Sequence, residues 1–284
     1  MTSSIARAGA LYLAVTSLGL TPAAATGASL RFYGNGANDI DRVKVRIDAP
    51  ARPADVGATD YTIELWLKAL PGDNASGPCT SGGDSWINGN IVVDRDVYGP
   101  GDYGDYGVSV YGGRVAFGAA SAAGSDTICS AAGVADGAWH HVALTRRSSD
   151  GEMRIFVDGQ LQPAVGSGPS GNASYRDGRA TAWPNSDPFL VFGAEKHDAG
   201  PAYPSFSGWV DEVRLSTVLR YAADYTRPAT PFTADANTAA LYHFDEGAGN
   251  TLADTSGAAG GPSNGVRQFG GAPAGPVWST DTPF

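Results

Sequence analysis

Five aromatic side chains, Trp86, Tyr98, Tyr103, Trp183 and Tyr203, stand in loop-like stretches beside Gly, Asp or Asn. Aromatic faces stack on sugar rings and nearby carboxylates and amides bind hydroxyl groups, so this pairing suits a carbohydrate-binding surface. Each ring taken singly could equally pack beneath its own loop. The densest run is residues 98–106, with Tyr98, Tyr103 and Tyr106 separated by Gly, Pro and Asp. Turns that short leave some of these rings at the surface.

Catalysis has weaker footing. Glycoside hydrolysis needs two carboxylates across one cleft. Asp211 and Glu212 are neighbours on a strand-like run, which points them to opposite faces. His140 and His141 are consecutive in the same way, and a structural or surface role is expected for them. The nearest approach to a nucleophile elbow, Gly166-Ser167-Gly168, falls in an irregular segment. No catalytic residue is assigned. Asp94, Asp96, Asp102 and Asp105 form an acidic group that could supply oxygen ligands to calcium, although solvated turn carboxylates are the simpler reading. Clustered Cys and His suited to zinc are missing.

The elements that must position these groups are short strands. Residues 138–161 alternate apolar and polar side chains in two runs. Ser148-Ser149-Asp150-Gly151 separates the runs and Asp158-Gly159 follows them, so a three-strand antiparallel meander is expected. Residues 61–69 give a clear strand, with Tyr61, Ile63, Leu65 and Leu67 on one face and Glu64, Trp66 and Lys68 on the other. Residues 29–33, 42–47, 91–94, 106–111, 114–118, 189–194, 206–215, 239–244 and 266–269 read as further strands. Residues 220–225 read as one or two helical turns. Residues 71–90, 119–136 and 162–187 read as long polar loops.

The composition fits. Only 17% of the 284 residues are charged, whereas there are 39 Gly and 18 Pro, which favours strands and turns over long helices. A net charge of −10 disfavours nucleic acid and anionic membranes as partners. Only Lys44, Lys68 and Lys196 among the nineteen basic residues are lysines, a pattern of GC-rich bacterial genomes. Residues 1–25 carry Arg7, an apolar stretch and Ala23-Ala24-Ala25, the pattern of a secretory signal peptide. No other segment approaches the ~20 apolar residues of a membrane span. In an oxidising compartment Cys79 and Cys129, neither in a Cys-x-x-Cys pair, are expected to form one disulfide.

Several motifs carry a family resemblance. Residues 139–145 (WHHVALT) lead into Phe156-Val157-Asp158-Gly159; residues 208–215 (GWVDEVRL) and 244–257 (FDEGAGNTLADTSG) are the other matches. Together they resemble laminin-G-like domains of the concanavalin A-like lectin/glucanase superfamily. The resemblance runs over residues 28–284 and implies one domain, an all-β antiparallel two-sheet jelly-roll β-sandwich. It also implies a calcium ion bridging the opening loop and the Asp-Glu strand, here Asp39, Asp41 and Asp211. The Glu-x-Asp-x-x-Glu pattern of laminarinase-like relatives is missing, as is the alginate-lyase pattern, so a hydrolase or lyase is disfavoured. The expected function is a secreted, non-enzymatic, lectin-like module for an extracellular glycan or a cell-surface or matrix component. Extracellular adhesion or self-assembly stays open beside it.

Overall fold

The computed structural model describes Met1 and residues 27–98, 104–175 and 181–284. The expected secretory segment beyond Met1, and with it Asp102 and Tyr103, lie outside the described residues. In chain order the strands are β1 (Ser29–Tyr33), β2 (Arg42–Arg46), β3 (Tyr61–Lys68), β4 (Asn90–Asp94), β5 (Tyr106–Tyr111) and β6 (Arg114–Ser121). There follow β7 (Gly124–Gly133), β8 (Trp139–Arg146), β9 (Glu152–Val157), β10 (Gln160–Ser167), β11 (Phe189–Phe192) and β12 (Ser207–Ser216). The chain ends with β13 (Thr238–Tyr242), β14 (Thr251–Leu252), β15 (Gly265–Gln268), β16 (Gly270–Gly271), β17 (Ala274–Gly275) and β18 (Val277–Ser279).

One sheet runs β10-β9-β8-β3-β12-β1-β18, with β13 also paired to β12, and the other runs β14-β15-β2-β11-β4-β5-β6-β7. The pairings within both are antiparallel. Alternation decides which side chains meet between the sheets. Ile63, Leu65 and Leu67 of β3, Leu30 and Phe32 of β1 and Val142 and Leu144 of β8 come from one inner face. Val43 and Val45 of β2, Val108 and Val110 of β5 and Leu190 and Phe192 of β11 come from the other. Fully burying an aliphatic or aromatic side chain of this kind contributes about 1.5–3 kcal/mol, enough to set the register of every strand. The protein is thus an all-β sandwich, as the alternation predicts. The 138–161 meander is β8, β9 and the start of β10. Its second turn places Asp158 at φ 50° and Gly159 at φ 80°, the pair of positive angles that a two-residue hairpin turn requires.

Local expectations fail in three places. Residues 119–136 are not a loop, since β6 extends to Ser121 and β7 then pairs along it, carrying Cys129. Residues 162–167 continue β10 alongside β9. Both segments are rich in Gly, Ala and Ser, which hides a strand whose stability comes from ladder hydrogen bonds and packing. Residues 220–225 are not helical. They form an irregular, bent segment beside β3 and β8, where Tyr221 Oη donates to Glu64 Oε2 at 2.8 Å and Tyr225 Oη meets His141 Nδ1 at 3.1 Å. Strand β15 matches the expected 266–269 strand, but the chain closes with β18, which pairs with β1.

Candidate ligand-binding site

Three chain segments meet at one end of the second sheet: the residues after β4, residues 181–188 before β11, and the turn 193–198 after β11. Strand pairing brings their roots together, because Val191 of β11 lies opposite Asp94 of β4. Asp94 then ties two of the segments. Its Oδ1 accepts the Asp96 N–H at 2.6 Å and its Oδ2 accepts the Lys196 N–H at 2.9 Å. Burial raises its pKa to about 7, with the charges of Glu195 and Asp96 adding to the effect. The third segment is joined through Ala182, whose N–H donates to the Tyr98 carbonyl at 2.8 Å.

His197 stands at the centre. Its Nε2 is 2.6 Å from Asp187 Oδ1. Its Nδ1 is 2.9 Å from Glu195 Oε1 and 3.2 Å from Asp96 Oδ2. Burial works against a charged ring, yet hydrogen bonds to Asp187, Asp96 and Glu195 outweigh it and lift the pKa to about 11. Lys196 turns away and donates through Nζ to the carbonyls of Asp187 and Phe189 at 3.2 and 3.1 Å.

Above this buried layer the aromatics are accessible. Trp183 is 43% exposed and Tyr98 57% exposed. The Trp183 ring lies 5.6 Å from that of His197 at an interplanar angle of 36°. A turn fixes its backbone, since Ser186 N–H and Asp187 N–H both donate to the Trp183 carbonyl at 2.9 Å. Beside it opens a cleft of about 620 Å³, lined by Asn38, Asp39, Lys44, Asn185, Ser186 and Asp198 among others. Carboxylates committed to an imidazolium are poor proton shuttles. The arrangement instead offers two aromatic faces beside amides, a hydroxyl and a lysine, which is binding chemistry.

Of the five aromatics chosen from sequence, the structure draws Tyr98 and Trp183 together. Tyr203 is half-buried on the 200–203 turn beside a separate cleft of about 680 Å³. Trp86 is a correction. It is only 2% exposed and its indole lies against Gly107 of β5 and Gly118 of β6, where a Cβ would clash with the ring at 2.0 and 1.8 Å. It fills a small apolar cluster with Ile91, Tyr111 and Ala116, so it cannot meet a ligand in this fold. Cys79 and Cys129 are joined as expected.

The three carboxylates expected to share calcium stand apart. Asp39 pairs with Lys44 at 3.0 Å and Arg42 at 3.4 Å. Asp41 is buried and accepts the N–H groups of Tyr33 and Asn35 at 2.8 and 2.9 Å. Tyr33 lies opposite Ser207, so Asp211 is four residues further along β12, roughly 13 Å away. In the second acidic group Asp105 accepts the Val97 N–H, and the positive charge beside it is the buried Arg95 guanidinium.

Asp211 and Glu212 depart from simple alternation. β12 carries a bulge between Asp211 and Arg214, with Glu212 at φ 50°. Both residues therefore line one pocket of about 320 Å³, with Asp245 and Phe284, while the Glu212 carboxylate is held by His243 Nδ1 at 2.7 Å and the Phe232 N–H at 2.8 Å. Burial, together with the charges of Glu212 and Asp245, raises the Asp211 pKa to about 9.

His197, Asp187, Glu195 and Asn185 were missed in the sequence. The one available signal was Glu195-Lys196-His197-Asp198, four ionisable residues running directly out of a buried strand in a chain of low charge density.

Fold and motifs converge when set beside known proteins. A family model described as the concanavalin A-like lectin/glucanases superfamily matches residues 41–224. The chain belongs to this superfamily, in its laminin-G-like branch. Over 95 residues it is 32% identical to the rat sushi, von Willebrand factor type A, EGF and pentraxin domain-containing protein 1, covering 32% of this chain and only 2% of that protein. Among solved structures, a Bacteroides ovatus protein provisionally named a carbohydrate binding protein superposes with a TM-score of 0.51 at 16% identity, over 84% of this chain and 57% of that one. The mouse laminin alpha1 chain, domains LG4-5, gives 0.44 at 13% identity over 80% of this chain and 50% of that one. This superfamily member shares its fold with the Bacteroides ovatus protein.

Proposed function

We propose that the chain is an exported, non-enzymatic carbohydrate-binding module whose ligand stacks on Trp183 and Tyr98 and reaches into the Asn38–Asn185–Asp198 cleft. The observation that carries this reading is the exposed Trp183 ring, fixed by its own turn and by His197 beside a polar cleft. The Bacteroides ovatus protein lends support at the level of fold. The Cys79–Cys129 disulfide and the residues 1–25 pattern favour export.

Calcium fits the Asp211 pocket better than the opening loop, where Asp39 is held by Lys44 and Arg42 and Asp41 accepts two backbone N–H groups through Oδ2. Asp211 is buried against two further carboxylates, and no Lys or Arg lines that pocket among the described residues. Asp211 and Asp245 would hold the ion, which would neutralise their mutual repulsion.

A glycan-array screen of the chain lacking residues 1–25 tests the reading. Selective binding is expected, with Trp183→Ala weakening it about tenfold or more through loss of the stacking face. A blank array at high protein concentration, or undiminished binding by Trp183→Ala, would overturn it.

A further inference from the structure

Asp96, Glu195 and His197 present ligand-type atoms that all lie within 4.8 Å of one another, a spacing that a divalent ion could bridge. The ring's surroundings argue otherwise. A metal-bound imidazole is neutral, giving a lone pair from one nitrogen and an N–H from the other to an acceptor. Here both ring nitrogens face carboxylate oxygens: Nε2 faces Asp187 at 2.6 Å, and Nδ1 faces Glu195 at 2.9 Å and Asp96 at 3.2 Å. Ionised carboxylates only accept hydrogen bonds, so at these contact distances both nitrogens carry protons, and a metal could enter only by displacing the Nδ1 proton.

We infer that the His197 imidazolium takes the place of a metal ion at this rim: it is the protein's own cation for Asp96, Asp187 and Glu195, it seats Trp183, and ligand binding there needs no divalent ion. The statement about ligand rests on the carbohydrate reading above; the statement about the cation does not.

Burial makes the cation necessary. The His197 side chain is 4% exposed, that of Glu195 1%, and that of Asp187 is fully buried. Apart from His197, Glu195 Oε1 has no partner among the described residues. Removing the charge would strand three carboxylates of low solvent access, which costs far more than an exposed pair could return. The two nearby cations are engaged elsewhere: Arg42, whose charge also reaches Glu195, is paired with Asp39 at 3.4 Å and donates to the Gly36 carbonyl. Lys196 is spent on two carbonyls, Asp94 holds the N–H groups of Asp96 and Lys196, and Asp198 adds negative charge next to Glu195. The elevated His197 pKa agrees with the geometry, keeping the ring charged throughout the physiological range. The indole of Trp183 lies over this ring and its backbone N–H approaches Asp187 Oδ2 at 3.3 Å, so the charge cluster and the ligand platform form one unit.

The test is made in an Asp211→Asn background, which removes the acidic pocket on the other sheet as a source of calcium effects. Long-range proton–nitrogen spectra of the full chain near pH 8 should show both His197 nitrogens protonated, unchanged by millimolar calcium or by EDTA. A singly protonated ring, or loss of a proton on adding calcium, would overturn the inference. His197→Asp replaces the cation with a fourth carboxylate and should create a demand for metal. Its thermal midpoint should rise with calcium while the parent's does not, and a calcium-dependent rise in the parent would count against the inference. Glycan binding should persist in EDTA. Binding lost in EDTA would sink metal independence, whereas a blank array with a doubly protonated His197 would sink only the carbohydrate reading.

Discussion

At the scale of single residues, most of the chemistry is set by what each carboxylate has for a partner. Asp96, Asp187 and Glu195 have His197, whereas Asp211 has only like charges and a backbone N–H. His197 gives the protein a distinct pH response. Its pKa in the fold is about 11 against 6.5 for the free side chain, so the proton it gains stabilises fully below pH 6.5. That stabilisation is lost as pH rises toward 11. Denaturant unfolding of the natural chain and of His197→Gln should therefore differ most near pH 6, by about 3 kcal/mol, with the gap closing as pH climbs. His140 and His243, whose pKa values are also raised, are common to both proteins and cancel. A gap that stays constant with pH would mean the ring contributes through packing alone. None of this pairing could be read from residue order, because Asp96 and His197 are 101 positions apart and meet only through β4 and β11.

At the scale of elements, strands were legible where large apolar residues alternate and illegible where small ones do. β3 and β8 bury aliphatic rows that declare their faces, whereas β7 and β10 present Gly, Ala, Ser and Gln. Small residues can still have a positive purpose. Gly107 and Gly118 leave a depression on the outer face of β5 and β6 in which the Trp86 indole sits. Gly118→Ala would put a Cβ 1.8 Å from Trp86 Cδ1 and should cost about 3 kcal/mol in equilibrium unfolding. Combining it with Trp86→Ala should cost less than the two single changes added, since the clash disappears with the ring. An additive result would show that the glycine is required for its backbone rather than for the indole. The bulge at Asp211–Glu212 is likewise an element-level event. It shifts the inward positions of β12 from Val210 to Val213 and Leu215, and so places two adjacent acids at one pocket.

At the scale of the whole molecule, the His197 rim lies at an end of the second sheet and the Asp211 pocket is built on the first. Calcium should therefore act on stability without touching the rim. Differential scanning calorimetry is expected to show the natural chain gaining midpoint temperature with calcium and Asp211→Asn gaining none. In metal-free buffer at pH 7 the Asn variant should be the more stable by about 1 kcal/mol or more, because a buried carboxylate among like charges is removed. Equal calcium shifts in both proteins would move the ion elsewhere. Taken alone, the sequence determined the all-β class, the meander, the laminin-G-like resemblance and the inner faces of the long strands, because alternation and turn chemistry are local properties of the chain. It also singled out Tyr98 and Trp183, though only beside Trp86, which the same loop chemistry made look equivalent. Which aromatics are exposed, which acids share a pocket and which cation neutralises them were decided by tertiary structure. Those outcomes depend on strand order, on one inserted bulge residue and on burial, and all three arise only when segments far apart in the chain pack together.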